Sequence, residues 1–387
     1  MKQVIRKKIV EAHNIDTREK INTLIIDGNS LLKVSLVDRK TNRDGVVYGA
    51  IWQFLNKIRI LLGEKDYNFV YCVWDGDNSG LLRYRIYNDY KANRDKNYEG
   101  VLLESEKSDY QKKLDERLQF MMGKLFKKTE EEEDFDRQKT ILSMIFQETF
   151  IRELSFDGIE GDDIIAYYVN HKKDNENVII ISGDMDITQL ISDTVSVYVP
   201  KDKKLLTKEN FKKEVGYPSE NIVVKKIICG DDSDNIKGIE GIGEKTFFKL
   251  FPMATERKID LKEIIDYAIA QQKEREKGRK RPLKALENII ESNTSGIQGK
   301  GIYDINKRLI DLSEPMLTDE AIKGIEEMMY APIDPSDRNS KNLYTIILEN
   351  KIESLIDSNN FSEFFSTFGR HILNEKNYYK KEIKNEC

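Results

Sequence analysis

Three short apolar runs in this chain end in the same way, on an aspartate within three residues of the last apolar side chain. Thr23-Leu24-Ile25-Ile26 closes on Asp27-Gly28-Asn29, Phe69 to Trp74 closes on Asp75-Gly76, and Val178 to Ile181 closes on Ser182-Gly183-Asp184. Runs so short and so uniformly apolar read as strands buried on both faces, the pattern of a parallel sheet covered by helices. A fourth run, Val195 to Val199, is stopped by Pro200, and helical spacing of Trp52, Leu55, Ile58 and Leu62 predicts a helix over 46–62. The alternation predicts an α/β fold with a doubly wound, mostly parallel sheet. Ligands of such sheets bind outside the carboxyl ends of the strands, so one crevice would collect Asp27, Asp75 and Asp184. A single aspartate after a strand is usually a turn residue or a helix cap. Three on three strands, joined by Asp186, ask for more.

Further acids fall at element ends. Glu160, Asp162 and Asp163 precede an apolar helix in Gly158-Ile159-Glu160-Gly161-Asp162-Asp163-Ile164-Ile165-Ala166, more acid than a cap needs, and Asp231 and Asp234 lie in Gly230-Asp231-Asp232-Ser233-Asp234-Asn235. Nine carboxylates gathered in one place would repel one another unless cations were bound. Hydrolysis of a phosphodiester needs an activated water, a stabilised phosphate and a neutralised leaving oxygen. Two divalent cations about 4 Å apart supply all three, and oxygen ligands suit magnesium or manganese. No nucleophilic Ser or Cys motif competes, and His13, His171 and His371 have no partner at metal-ligand spacing.

The formal net charge of −5 looks wrong for a nucleic-acid enzyme, yet without the nine acids the remainder is basic. Basic and aromatic residues alternate from Leu82 to Arg94, a pattern suited to clamping phosphates and stacking bases, with Lys91 and Arg94 expected on one helix face. Ile239-Glu240-Gly241-Ile242-Gly243-Glu244-Lys245-Thr246 reads as a glycine hairpin opening a helix, where backbone amides could hold a phosphate. Three widely spaced cysteines and the lack of an apolar leader argue for a reducing compartment, and no run of about 18 apolar residues predicts a membrane span. The expected organisation is a charged extension over 1–20, an α/β domain over 21–200 and a helical domain over 201–387. The first carries a charged helical insertion at 95–150; the second carries the hairpin near 225–250, an exposed basic linker or loop at 271–284 and short helices over 302–387.

The blocks IIDGN (25–29), VWDG (73–76), the R…YK…R block ending at Arg94, GIEGDDIIA (158–166), SGDMDITQL (182–190) and GDDSDNIKGIEGIGEKT (230–246) together resemble the 5′ nuclease family. That family includes flap endonucleases, the 5′→3′ exonuclease domain of bacterial DNA polymerase I and phage homologues; the C-terminal part is most similar to T4-type phage ribonuclease H. The resemblance implies a first metal site of Asp27, Asp75, Glu160, Asp162 and Asp163, and a second formed or supported by Asp184, Asp186, Asp231 and Asp234. It implies that Lys91, with Arg83 and Arg94, faces the scissile phosphate, and that 95–150 is a helical arch passing a 5′ single strand. Tyr90, Gly241, Gly243, Lys245 and Thr246 would contact DNA through a helix–hairpin–helix, with a potassium ion at the hairpin. The implied activity is Mg2+-dependent (Mn2+ as substitute) cleavage of 5′ ends and flaps on DNA and RNA–DNA duplexes, removing RNA primers in replication. The enzyme is expected to be a monomer in the cytoplasm, that of a phage-infected host, with a single-strand-binding protein or sliding clamp as partner. Gly161 where relatives often carry Ala, Phe247 after Thr246, and a longer arch depart from the family pattern. Two rival readings are a catalytically silent DNA-binding homologue, against which the intact acidic set argues, and a PIN-like ribonuclease, which needs neither the hairpin nor GDDSDN.

Overall fold

The structure, a computed structural model, describes residues 20–92, 130–292, 296–297, 300–333, 338–356 and 358–385. Arg94, the extension over 1–19 and the greater part of the expected arch therefore lie outside the described residues. The chain divides into two compact units. The first is formed by the described residues of Met1–Asp77, Leu125–Thr207 and Leu317–Cys387, the second by those of Asn78–Lys124 and Lys208–Met316.

The first unit is built on a six-stranded sheet: β1 (Ile21–Asp27), β2 (Phe69–Val73), β3 (Arg152–Leu154), β4 (Glu176–Ile181), β5 (Val195–Val199) and β6 (Lys204–Leu206). Its order is β3-β2-β1-β4-β5-β6, parallel except for β6, which runs antiparallel to β5. Every residue of β1, β2, β4 and β5 is buried, which is why the apolar runs within them carry no period-two alternation. Leu24, Ile26, Val70, Cys72, Trp74, Ile179 and Ile181 form one packed face with helices Gly49–Glu64 and Glu130–Gln147. The helix Gly161–His171 lies on the opposite face, where Tyr168 meets Tyr71 with ring centroids 4.9 Å apart.

The C-terminal residues do not continue the helical domain, as expected for 201–387, but return to this sheet. Phe364, Phe365 and Phe368 of the helix Ser358–Asn385 enter its core, and the same helix carries Glu375, 2.7 Å from Arg152 of β3, with both side chains 4% exposed. That helix has 28 residues, where only short ones were expected. The unit thereby extends past residue 200, through β6, to Thr207. Beneath the amino ends of the strands, the buried Glu176 carboxylate accepts hydrogen bonds from Thr23, Tyr168 and Tyr330 hydroxyls and from the Lys173 amide. A buried carboxylate requires such a shell.

The second unit is helical and has its own core, in which Ile227, Ile228, Ile239, Ile242, Phe247, Phe251, Leu286 and Ile289 pack together. Phe247, a departure from the family pattern, is fully buried at its centre, 5.4 Å from Phe251 between ring centroids. The expected linker or loop at 271–284 is a loop only over 278–283, between the end of the helix Leu261–Lys277 and the start of the next, Lys284–Glu291. Among the described residues no helix is long and apolar enough to cross a membrane.

Candidate metal centre

β1 and β4 are neighbours whose connections leave in opposite directions, so the gap between their carboxyl ends is the switch point of the sheet. In register, Asp27 of β1 stands opposite Val73 of β2, and Ile26 opposite Ile181 of β4. The turns bearing Asp27, Asp75 and Asp184 therefore leave the sheet at one level. Gly28 opens the helix Gly28–Ser35 under Trp74; a Cβ there would lie 2.5 Å from the indole, so only glycine admits both.

Hydrogen bonds then fix the acids. Asp27 accepts from the Ser30 amide at 2.9 Å and from the buried Ser182 hydroxyl at 2.6 Å. Ser182 in turn accepts from the Asp184 amide at 2.9 Å, and the Ser30 hydroxyl accepts from the Gly183 amide at 2.8 Å. Two serines thus staple the turn after β4 to the turn after β1. Asp75 accepts from Asn29 Nδ2 at 2.5 Å and from the Gly161 amide at 2.8 Å, which brings the start of the 161–171 helix to the same place. Glu160 is the N-cap residue of that helix, 5% exposed, and its side chain makes no capping bond; Asp163 is 1% exposed. Asp186 begins a 3-10 turn, its amide donating to Asp184 Oδ1 at 2.9 Å.

The electrostatics show how close these groups are. Burial, and then the charges of Asp75 and Asp184, push Asp27 up to about 7 against the pull of its Ser182 and Ser30 hydrogen bonds. Desolvation, followed by the charges of Asp184, Asp27, Asp75 and Glu160, pushes Asp162 well above the usual carboxylate range. Acidic neighbours crowd Asp27 and Asp162, and the donors are hard oxygens, so the residues present fit a divalent cation such as magnesium or manganese.

Asp231 and Asp234 belong to the second unit, with carboxylate oxygens within 4.8 Å of each other. Asp231 resists its burial: hydrogen bonds from Lys226 Nζ (2.6 Å) and Ser233 hold it below the usual carboxylate range. Asp234 accepts from the Tyr90 hydroxyl at 3.0 Å, and its carbonyl accepts from the Lys91 amide at 2.8 Å.

The basic block differs from its expectation. After the four-residue helix Leu81–Tyr84 the chain turns, and Lys91 sits at φ +53° in a turn, not on a helix face. Tyr90 is 1% exposed and cannot stack on a base; it supports Asp234 and carries the Lys91 ammonium 4.9 Å from its ring centroid. Arg83 is 5% exposed, its Nε donating to the Leu309 carbonyl at 3.0 Å, which is a packing position and not a phosphate-facing one. In the hairpin, Gly241, Gly243 and Lys245 are exposed and Thr246 is half-buried. Gly241 has φ +81°, and a Cβ at either glycine would meet nothing within 4 Å. Sequence reasoning missed Ser182 and Asn29, which stood beside the acids inside the quoted motifs, and Ser30, one residue past IIDGN. It also missed Lys139, whose Nζ lies 3.4 Å from the Asp75 carbonyl and 5.1 Å from the Trp74 ring centroid.

Ser182→Ala is expected to weaken Mn2+ binding about 10–100-fold, measured by titration calorimetry, because Asp27 loses the partner that orients it. Unchanged affinity would reduce Ser182 to a turn residue.

An acid-lined crevice at the switch point of a parallel sheet, with its carboxylates braced by hydroxyl and amide donors, defines a site for metal-assisted chemistry. Residues 22–216, half of the chain, match the family described as 5′-3′ exonuclease, N-terminal resolvase-like domain, and the chain belongs to that family. It is 30% identical over 235 residues to a 5′-3′ exonuclease of Buchnera aphidicola subsp. Schizaphis graminum, covering 58% of this chain and 67% of that protein. Over 237 residues it is 27% identical to a 5′-3′ exonuclease of Bacillus subtilis, covering 59% and 68%. A thermostable DNA polymerase I of Thermus caldophilus is 28% identical over 230 residues, and there the chain spans only 23% of the relative's length. Among solved structures, the 5′-exonuclease of phage T5 with bound zinc has the same fold, with a TM-score of 0.50, 20% identity and coverage of 86% of this chain and 98% of that one.

Proposed function

We propose that this protein is a magnesium-dependent 5′→3′ exonuclease and flap endonuclease that removes RNA primers from RNA–DNA duplexes during replication. The observation that carries the reading is the crowding of Asp27, Asp75, Glu160, Asp162 and Asp184, in which burial and acidic neighbours push up Asp27 and Asp162. With Asp163 and Asp186 these residues would hold the cations, and family resemblance adds Asp231 and Asp234 to the second. The bound ions would polarise the phosphate, activate the attacking water and neutralise the leaving oxygen. Ser182, Ser30 and Asn29 keep the carboxylates oriented so that little reorganisation is needed when substrate arrives.

Lys91 is the remaining candidate for contact with the reacting phosphate, and Arg94 rests on resemblance alone. Gly243 is glycine although neither its φ of −87° nor its surroundings require it, which suits close approach of a phosphate backbone to the hairpin. We assign that hairpin, between the helices Ile222–Cys229 and Glu244–Leu250, as a helix–hairpin–helix holding duplex DNA with a potassium ion. A monomer working in the cytoplasm of a phage-infected host, with a single-strand-binding protein or clamp, completes the reading.

The test is digestion of a 5′-labelled RNA–DNA hybrid beside a 5′-flap substrate, with magnesium or EDTA, resolving product lengths. Short products from the 5′ end that require magnesium are expected on both. Internal cuts in single-stranded RNA with both duplexes intact would instead favour the PIN-like ribonuclease.

A further inference from the structure

We propose that the basic loop following the helix Leu261–Lys277 is a second nucleic-acid contact of the helical unit, gripping the phosphate backbone of the duplex held at the glycine hairpin. The inference rests on the nuclease reading and extends it to a surface outside the acidic crevice. Residues 273–284 carry seven cations against two acids, Glu274 and Glu276. Among the described residues none of the seven has a carboxylate within ion-pair distance, and Arg279, Lys280 and Arg281 are exposed. Exposed, unpaired like charges repel one another, and a polyanion relieves that repulsion.

The loop is also built to hold its shape. The Gly278 amide closes the helix on the Glu274 carbonyl at 3.0 Å, and the Lys280 amide returns to the Arg275 carbonyl at 2.8 Å. Arg275 Nε donates to the Arg281 carbonyl at 3.0 Å, and the Leu283 amide donates to Gln272 Oε1 at 3.2 Å. A loop so tied presents its cations without a large ordering cost on binding.

Its position relative to the hairpin is fixed by the next helix, Lys284–Glu291. Asn288 Nδ2 donates to the Glu240 carbonyl of the hairpin at 2.9 Å, and Leu286 and Ile289 share a core with Ile239 and Ile242. Lys284 is one helical turn before Asn288, about 6 Å along the axis. The loop thus ends one helical turn from the residue that bonds the hairpin. A strand seated on the hairpin amides would continue onto Arg279, Lys280 and Arg281, which neutralise phosphates without reading bases.

The experiment compares the wild type with the triple variant Arg279→Gln, Lys280→Gln, Arg281→Gln. Binding of a fluorescent 30-base-pair 5′-flap duplex is followed in EDTA from 50 to 200 mM potassium chloride. If three phosphate contacts are lost, the slope of log K against log salt becomes shallower by about 2.7, so the affinity drop across that range is about fortyfold smaller. The single-turnover cleavage rate at saturating protein and the melting temperature are expected to stay at wild-type values. An unchanged slope overturns the proposal, as does a variant that loses binding to an acidic peptide but not to the duplex. A wild type that neither binds nor cuts the flap would defeat the nuclease reading itself, a distinguishable result.

Discussion

Asp162→Asn lowers the single-turnover rate of 5′-flap cleavage by about 10²–10³-fold, with affinity for the uncut flap nearly unchanged; this is the result expected from its place among the acids. The carboxylate acts on charge that develops in the transition state, while the duplex is held elsewhere. A second readout separates this role from a structural one. Asp162 has its folded-state pKa raised by desolvation and by its neighbours' charges, so its ionised form destabilises the fold above that pKa, and protonation restores stability as the pH falls. The amide removes that repulsion, and the variant should melt no lower than wild type in EDTA. A wild-type cleavage rate in rapid-quench experiments would take Asp162 out of the site, and a marked fall in melting temperature would make it a structural residue.

The largest effect on stability is expected at Glu375. Arg152 and Glu375 are each 4% exposed, and the guanidinium also lies 5.3 Å and 5.6 Å from the ring centroids of Phe69 and Tyr71. Glu375→Ala leaves that charge buried without its carboxylate and should cost about 3–5 kcal/mol in denaturant titration. The double change Arg152→Met with Glu375→Leu removes both charges and should recover most of the loss. If the single variant unfolded at the wild-type midpoint, the C-terminal helix would not be fastened to the sheet in this way.

The parallel sheet and the acids at its carboxyl ends were legible because a strand buried on both faces leaves a continuous apolar run, and its terminating aspartate marks the crevice. β3 and β6 were not legible. Each has three residues and sits at an edge, so neither produces a run long enough to read. The return of residues 317–387 to the α/β unit was hidden because it depends on contacts between segments far apart in sequence, such as Arg152 with Glu375. Local pattern identifies an amphipathic helix but not the surface that receives it. Tyr90 and Arg83 misled for a related reason: basic and aromatic alternation looks the same whether the rings face a nucleic acid or the interior. Ser182 was legible only in part, since a serine before Gly-Asp reads as a turn residue, and its hydroxyl matters through a partner on another strand.

The Arg152–Glu375 pair has a further consequence for how the molecule is made. The two residues are 223 positions apart, so at about 5–20 residues per second a ribosome needs roughly 11–45 seconds to supply the second after the first. Throughout that interval Phe69 lacks Tyr378 and Tyr379 of the helix that carries Glu375, whose rings meet it with centroids 5.0 Å and 6.2 Å away. Chaperone engagement should therefore peak late in translation and end when the last helix emerges.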